Sequence, residues 1–124
     1  MTDKEYQQLA MRTNDGLNTT RLTNAIFDCH TITIAQLING ALGLTGEAGE
    51  VSDLVKKGIF HEKGIDLEHL KKELGDCTWY LAMICDACGF TLDDVMQTNI
   101  DKLKARYPKG FDTYRANNRA EGDI

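Results

Sequence analysis

Two acidic pairs mirror one another across the middle of the chain. Glu47-Ala-Gly-Glu50 and Glu73-Leu-Gly-Asp76 stand on either side of residues 51–72. Each pair has i, i+3 spacing, so on a helix both of its carboxylates share one face. Glu47 with Asp76, and Glu50 with Glu73, are both centred on the point between His61 and Glu62. The segment around that point, Gly58-Ile-Phe-His-Glu-Lys-Gly64, has a glycine at each end and suits a connection. Flanking helices that fold back there set Glu47 against Asp76 and Glu50 against Glu73, in two adjacent layers of one antiparallel pair. Four carboxylates so close repel one another in a partly buried site, and a bound cation relieves the repulsion. Every donor is an oxygen, which suits Mg²⁺, with Mn²⁺ as a substitute, and disfavours zinc.

The helices expected from periodicity and punctuation make the fold all-α. Residues 3–13 have helix-forming composition, with Tyr6, Leu9 and Ala10 on one side and Asn14-Asp-Gly16 as the stop. Leu22, Ile26 and Phe27 hint at a short helix within 17–30. A long helix is predicted over about 32–57, its apolar face made by Ile34, Leu37, Ile38, Ala41, Thr45, Ala48 and Val55. Glu47, Glu50 and Lys57 project together on a different side. Gly40, Gly43, Gly46 and Gly49 recur at every third position, which points either to a neighbour approaching the backbone or to a kink. The next helix, about 66–88, has Asp66 as N-cap and Gly89 as stop. Leu67, Leu70, Leu74, Cys77, Leu81 and Ile84 form its core stripe, with Glu73 and Asp76 on the flank. A last helix runs over about 92–107 between Thr91 and Pro108. The whole, residues 1–124, is expected to be a single four-helix bundle domain with its core at about 32–108 and a polar tail at 109–124.

Net charge is −5 and no basic block is visible, which argues against nucleic acid as a partner. No apolar run approaches a membrane span and the N-terminus lacks a signal pattern, so a cytoplasmic protein is expected, with no membrane partner. Cys77, Cys85 and Cys88 lie in an apolar helical stretch and read as buried reduced thiols. A zinc set from Cys29, His30, Cys85 and Cys88 is the disfavoured alternative. From Cys77 to Phe90 the helix is apolar on nearly every side, Trp79 included, more than a small domain can cover. A partner subunit is expected there, although Trp79 could also stack on a base.

A carboxylate cage with Mg²⁺ is half of a phosphate site. The other half needs cations and neutral donors, and Lys57, Asn99, Lys102 and Arg106 are residues of those types. Each also has a plainer role open to it: Asn99 as a core amide, Lys102 and Arg106 as surface charges, Lys57 as the cation at a helix C-terminus.

The run Gly43-Leu-Thr-Gly-Glu47-Ala-Gly-Glu50-Val, with Lys56-Lys57, Glu73-Leu-Gly-Asp76 and Asn99-Ile-Asp-Lys102-Leu-Lys-Ala-Arg106-Tyr-Pro108, resembles the MazG-like nucleoside triphosphate pyrophosphohydrolases. The single-domain bacterial and phage members look closest. The resemblance covers roughly residues 5–119. It implies an all-α fold and hydrolysis of an NTP or dNTP to the monophosphate and pyrophosphate. It also implies Mg²⁺ at Glu47, Glu50, Glu73 and Asp76, which are thereby the catalytic residues, and nucleotide contacts from Asn99, Lys102 and Arg106. Homodimers or homotetramers are implied as well. Many members carry an extra acid just before the first pair, where this chain has Gly46, so the number of metals and the water-activating base stay open. Cleansing or control of the nucleotide pool is the compatible role. The alternatives are a non-catalytic helical module that binds nucleotide or protein, and a di-iron bundle, which lacks the Glu-x-x-His pairs it would need.

Overall fold

The computed structural model describes residues 1–119 and is built of helices. In chain order these are α1 (Asp3–Met11), α2 (Asn18–Asp28), α3 (Ile34–Phe60), α4 (Leu67–Cys88), α5 (Leu92–Arg106) and α6 (Thr113–Asn117). The all-α expectation holds. The ends follow local chemistry. Thr2 and Glu5 close a reciprocal capping box on α1. Asp66 accepts the His69 N–H at the start of α4, and Thr91 accepts the Asp94 N–H at the start of α5. Gly89 takes the left-handed conformation that ends α4. The part of the expected polar tail at 120–124 lies outside the described residues. In its earlier part the Phe111 ring lies tilted against Tyr107, 5.5 Å between ring centroids, and stays exposed.

The α3–α4 antiparallel hairpin dominates the packing. Its contacts pair Gly40 with Ile84, Gly43 with Tyr80, and Gly58 with Ile65. All are centred on or beside the junction of His61 and Glu62. At the open end, the Thr33 N–H donates to the Ala87 carbonyl, and the Gln36 amide donates to Asp86 at 2.7 Å. At the turn, the Gly64 N–H donates to the Gly58 carbonyl at 3.1 Å. Helix α3 runs past its expected stop at 57, through Gly58 to Phe60. A side chain at Gly58 would meet Ile65 and the Gly64 carbonyl, so here the glycine serves close packing inside the helix rather than breaking it.

The face of α3 expected to be its core is covered only in part. Helix α4 seats on the side bearing Gly40, Gly43 and Glu47; of the expected face Ile34, Leu37 and Val55 are half-buried, while Ile38, Ala41, Thr45 and Ala48 stand exposed. Glycine lets a neighbouring helix approach the backbone, and that proximity wins over the broader apolar stripe. Close approach therefore accounts for Gly40 and Gly43, whereas Gly46 and Gly49 face open space among the described residues. The apolar sides of α4 and α5 are also incompletely covered: Leu74, Trp79, Met96 and Ile100 are all exposed. Total accessible surface is 10108 Å², against the roughly 6,600 Å² that a compact monomer of this mass presents.

Candidate active site

The layered hairpin brings acidic side chains together at mid-length. Glu47 lies in the middle of the α3 face that meets α4, and it reaches both Glu73 and Asp76. One carboxylate oxygen from each of Glu47, Glu73 and Asp76 falls within a group whose members are all within 4.8 Å of one another. Burial, then the charges of Asp76 and Glu73, then a hydrogen bond with Glu73 and the charge of Glu50, push the Glu47 carboxyl up from its ordinary range. Glu50 lies outside that tight group but shares a cavity wall with Glu73. The cluster is made only of oxygen donors, and its central member already resists carrying its charge. Both properties fit a hard divalent cation, with Glu47, Glu73 and Asp76 able to hold it and Glu50 beside them.

Two i, i+4 contacts frame the cluster. Lys57 pairs with Asp53 at 2.5 Å, with Lys56 also on Asp53 at 3.4 Å. The hydrogen bond to Lys57 is the main cause of the lowered Asp53 carboxyl, and the same bond raises the Lys57 ammonium. His69 Nε2 lies 2.8 Å from Glu73 Oε1, so the imidazole orients the carboxylate that Glu47 also contacts. A cavity of about 280 Å³ opens between these pairs and the turn, with Glu50, Lys57, Lys63, His69 and Glu73 on its wall. Asp53, Lys63 and His69 were not among the sequence candidates. The signal for two of them was present, because Asp53-Lys57 and His69-Glu73 both have the spacing that stacks side chains on one helix face.

Two of the predicted donors of α5, Asn99 and Lys102, stand apart from the cluster. Neither Asn99 nor Lys102 makes a hydrogen bond or ion pair with the carboxylates among the described residues, and α5 meets α4 only sparsely. Arg106 is half-buried and lies over the Tyr107 ring at 6.0 Å. The cysteines are free thiols. Among the described residues the acidic trio is the group arranged for a metal, so Cys29, His30, Cys85 and Cys88 do not converge.

Fold and site together define an all-helical protein with an oxygen-donor cluster held between the two arms of a helical hairpin. The family model for the MazG nucleotide pyrophosphohydrolase domain matches residues 37–111, a span that contains both acidic pairs and α5. The chain belongs to this family. It is also similar to the Gene 37 protein of Mycobacterium phage L5, with 35% identity over 82 residues that cover 63% of this chain and 72% of the phage protein. No solved structure matches the chain.

Proposed function

We propose that the chain hydrolyses a nucleoside or deoxynucleoside triphosphate to the monophosphate and pyrophosphate, with Mg²⁺ (or Mn²⁺) at Glu47, Glu50, Glu73 and Asp76, in the service of nucleotide-pool cleansing or control. The observation that carries this is the convergence of Glu47, Glu73 and Asp76 beside a cavity that also holds Lys57 and Lys63. Water's oxygen bonds to the α-phosphorus, the bond to the bridging oxygen breaks, pyrophosphate departs, and the water's proton leaves to a base. His69 orients Glu73 and Asp53 fixes Lys57 at the edge of the acidic cluster. A divalent cation held by Glu47, Glu73 and Asp76 would offset phosphate charge.

Asn99, Lys102 and Arg106 complete the grip on the phosphates once α5 is brought against a hairpin. We assign that step to self-association as a homodimer or homotetramer, supported by the exposed apolar sides of α3, α4 and α5 and by about 3,500 Å² of surface beyond that of a compact monomer. Specific interfaces bury about 800 Å² per partner, so the surplus is ample. No helix among the described residues is long and apolar enough to cross a membrane. With four free thiols, this supports a cytoplasmic setting. The test is a panel of NTPs and dNTPs with Mg²⁺, with products resolved. Pyrophosphate release supports the assignment, while binding without turnover, or release of orthophosphate, refutes it.

A further inference from the structure

We infer that the cavity at the turn end of the hairpin receives the terminal phosphates of the substrate, the pyrophosphate that departs, and that Lys63 is its charged contact. This rests on the pyrophosphohydrolase assignment and adds a direction to it.

The wall carries Glu50, Asp53, Asp66 and Glu73 against Lys57 and Lys63, so a phosphate group would enter it only together with a divalent cation, and most of these side chains already have partners. Asp53 is held by Lys56 and Lys57. Asp66 accepts the His69 N–H at 3.0 Å and so caps α4. Glu73 is held by His69. What remains is Glu50, which belongs to the acidic layer, and Lys63, whose ammonium makes no ion pair among the described residues. Lys63 stands between Glu62 and Gly64, both in left-handed backbone, within the turn that the Gly64–Gly58 hydrogen bond closes. Its backbone is therefore placed by the turn, and its charge is available to a ligand.

The two ends of the acidic cluster differ in character. Toward the turn, the Glu50–Glu73 layer opens into the cavity with Lys63 on its wall. Away from the turn, the Glu47–Asp76 layer runs into the Tyr80 ring lying on Gly43, with Trp79 edge-on to that ring. The cavity volume of about 280 Å³ is at the lower limit of small-molecule sites, roughly 300 Å³. It has room for an inorganic group such as pyrophosphate and opens directly beside the acidic layer. A triphosphate thus lies along the hairpin with its leaving end at the turn and its nucleoside toward Tyr80.

The experiment compares wild type, Lys63→Ala and Lys63→Arg as full chains. Magnesium pyrophosphate is titrated calorimetrically, Mg²⁺ alone is titrated in parallel, and inhibition of turnover by pyrophosphate and by the nucleoside monophosphate is measured. Losing one charge-assisted contact should weaken pyrophosphate about tenfold in both Kd and Ki. Lys63→Arg should restore it, and monophosphate inhibition and Mg²⁺ affinity should stay at wild-type values. Unchanged pyrophosphate affinity in Lys63→Ala overturns the inference, as does equal weakening of both products. Lys63 is exposed in a turn, so the variants should keep the wild-type Tm. The titration needs no turnover. A wild type that hydrolyses no triphosphate sinks the functional assignment, while the titration still decides the cavity.

Discussion

The contact between Gly43 and Tyr80 can be tested by a double-mutant cycle. A Cβ at position 43 would sit 2.5 Å from Tyr80 Cδ1 and closer still to Cε1 and Cζ. The ring is half-buried against α3, so it has to shift to admit the methyl group. Overpacking of this kind costs about 1–3 kcal/mol. Alanine recovers about 1 kcal/mol of helix propensity over glycine. Gly43→Ala in the wild-type background should therefore destabilise by up to about 2 kcal/mol. With Tyr80→Ala already in place there is no ring to meet, and the same change should stabilise by about 1 kcal/mol. The sign reverses, and the coupling between the two sites is about 1–3 kcal/mol. The assay is urea unfolding of the four proteins at one protein concentration, by far-UV circular dichroism. A coupling below about 0.5 kcal/mol would mean that the ring does not lie on Gly43 in solution.

Three further outcomes follow from the same geometry. Asp76→Asn should abolish turnover and Mg²⁺ binding while raising the Tm of the metal-free protein, because one of the charges that disfavour an ionised Glu47 is gone; an active variant, or a lower metal-free Tm, counts against the cluster. Since Glu47 has a folded-state pKa above its unfolded value, its contribution favours the folded state below the ordinary carboxylate range and is lost as pH rises through the raised value. Metal-free Tm should fall across that window and the Tm gain from Mg²⁺ should grow, which thermal melts with and without Mg²⁺ would show; a pH-independent gain contradicts it. Trp79→Asp places a carboxylate where an exposed ring is assigned to an interface, so the assembly should fall apart by light scattering; an undisturbed oligomer, or a monomeric wild type at micromolar concentration, removes the basis for it.

The hairpin register was legible before any coordinates, because a pair of i, i+3 motifs mirrored about one turn admits few folded arrangements. Helix starts were legible where side-chain caps announce them, at Asp66 and Thr91. The extent of α3 was not. Gly58 carries the same local signal as a glycine that ends a helix, and only the approach of Ile65 shows that it permits packing instead. The covered face of α3 was missed in part for a related reason. Periodicity reveals which residues are apolar, but which stripe a neighbour occupies depends on how near two backbones can come. Lys63, proposed as the contact of the leaving phosphates, was invisible because its place depends on the fold of a turn rather than on a motif. The donors of α5 are legible as residue types, whereas any approach of Asn99 and Lys102 to the carboxylates rests on the proposed self-association and so on contacts that one chain's pattern does not encode.

The uncovered sides of α3, α4 and α5 have a consequence for how the molecule behaves as its amount changes. On the proposed self-association, apolar area that one copy cannot shelter is sheltered by another, and folding and encounter would then become a single second-order event. The melting midpoint should then climb with protein concentration, and dilution should unfold chains that sit safely folded at higher dose. Activity per molecule would have a threshold in copy number, low while chains are few and rising steeply as they accumulate. Before that threshold each new chain exposes Leu74, Trp79, Met96 and Ile100 to whatever else the cell contains.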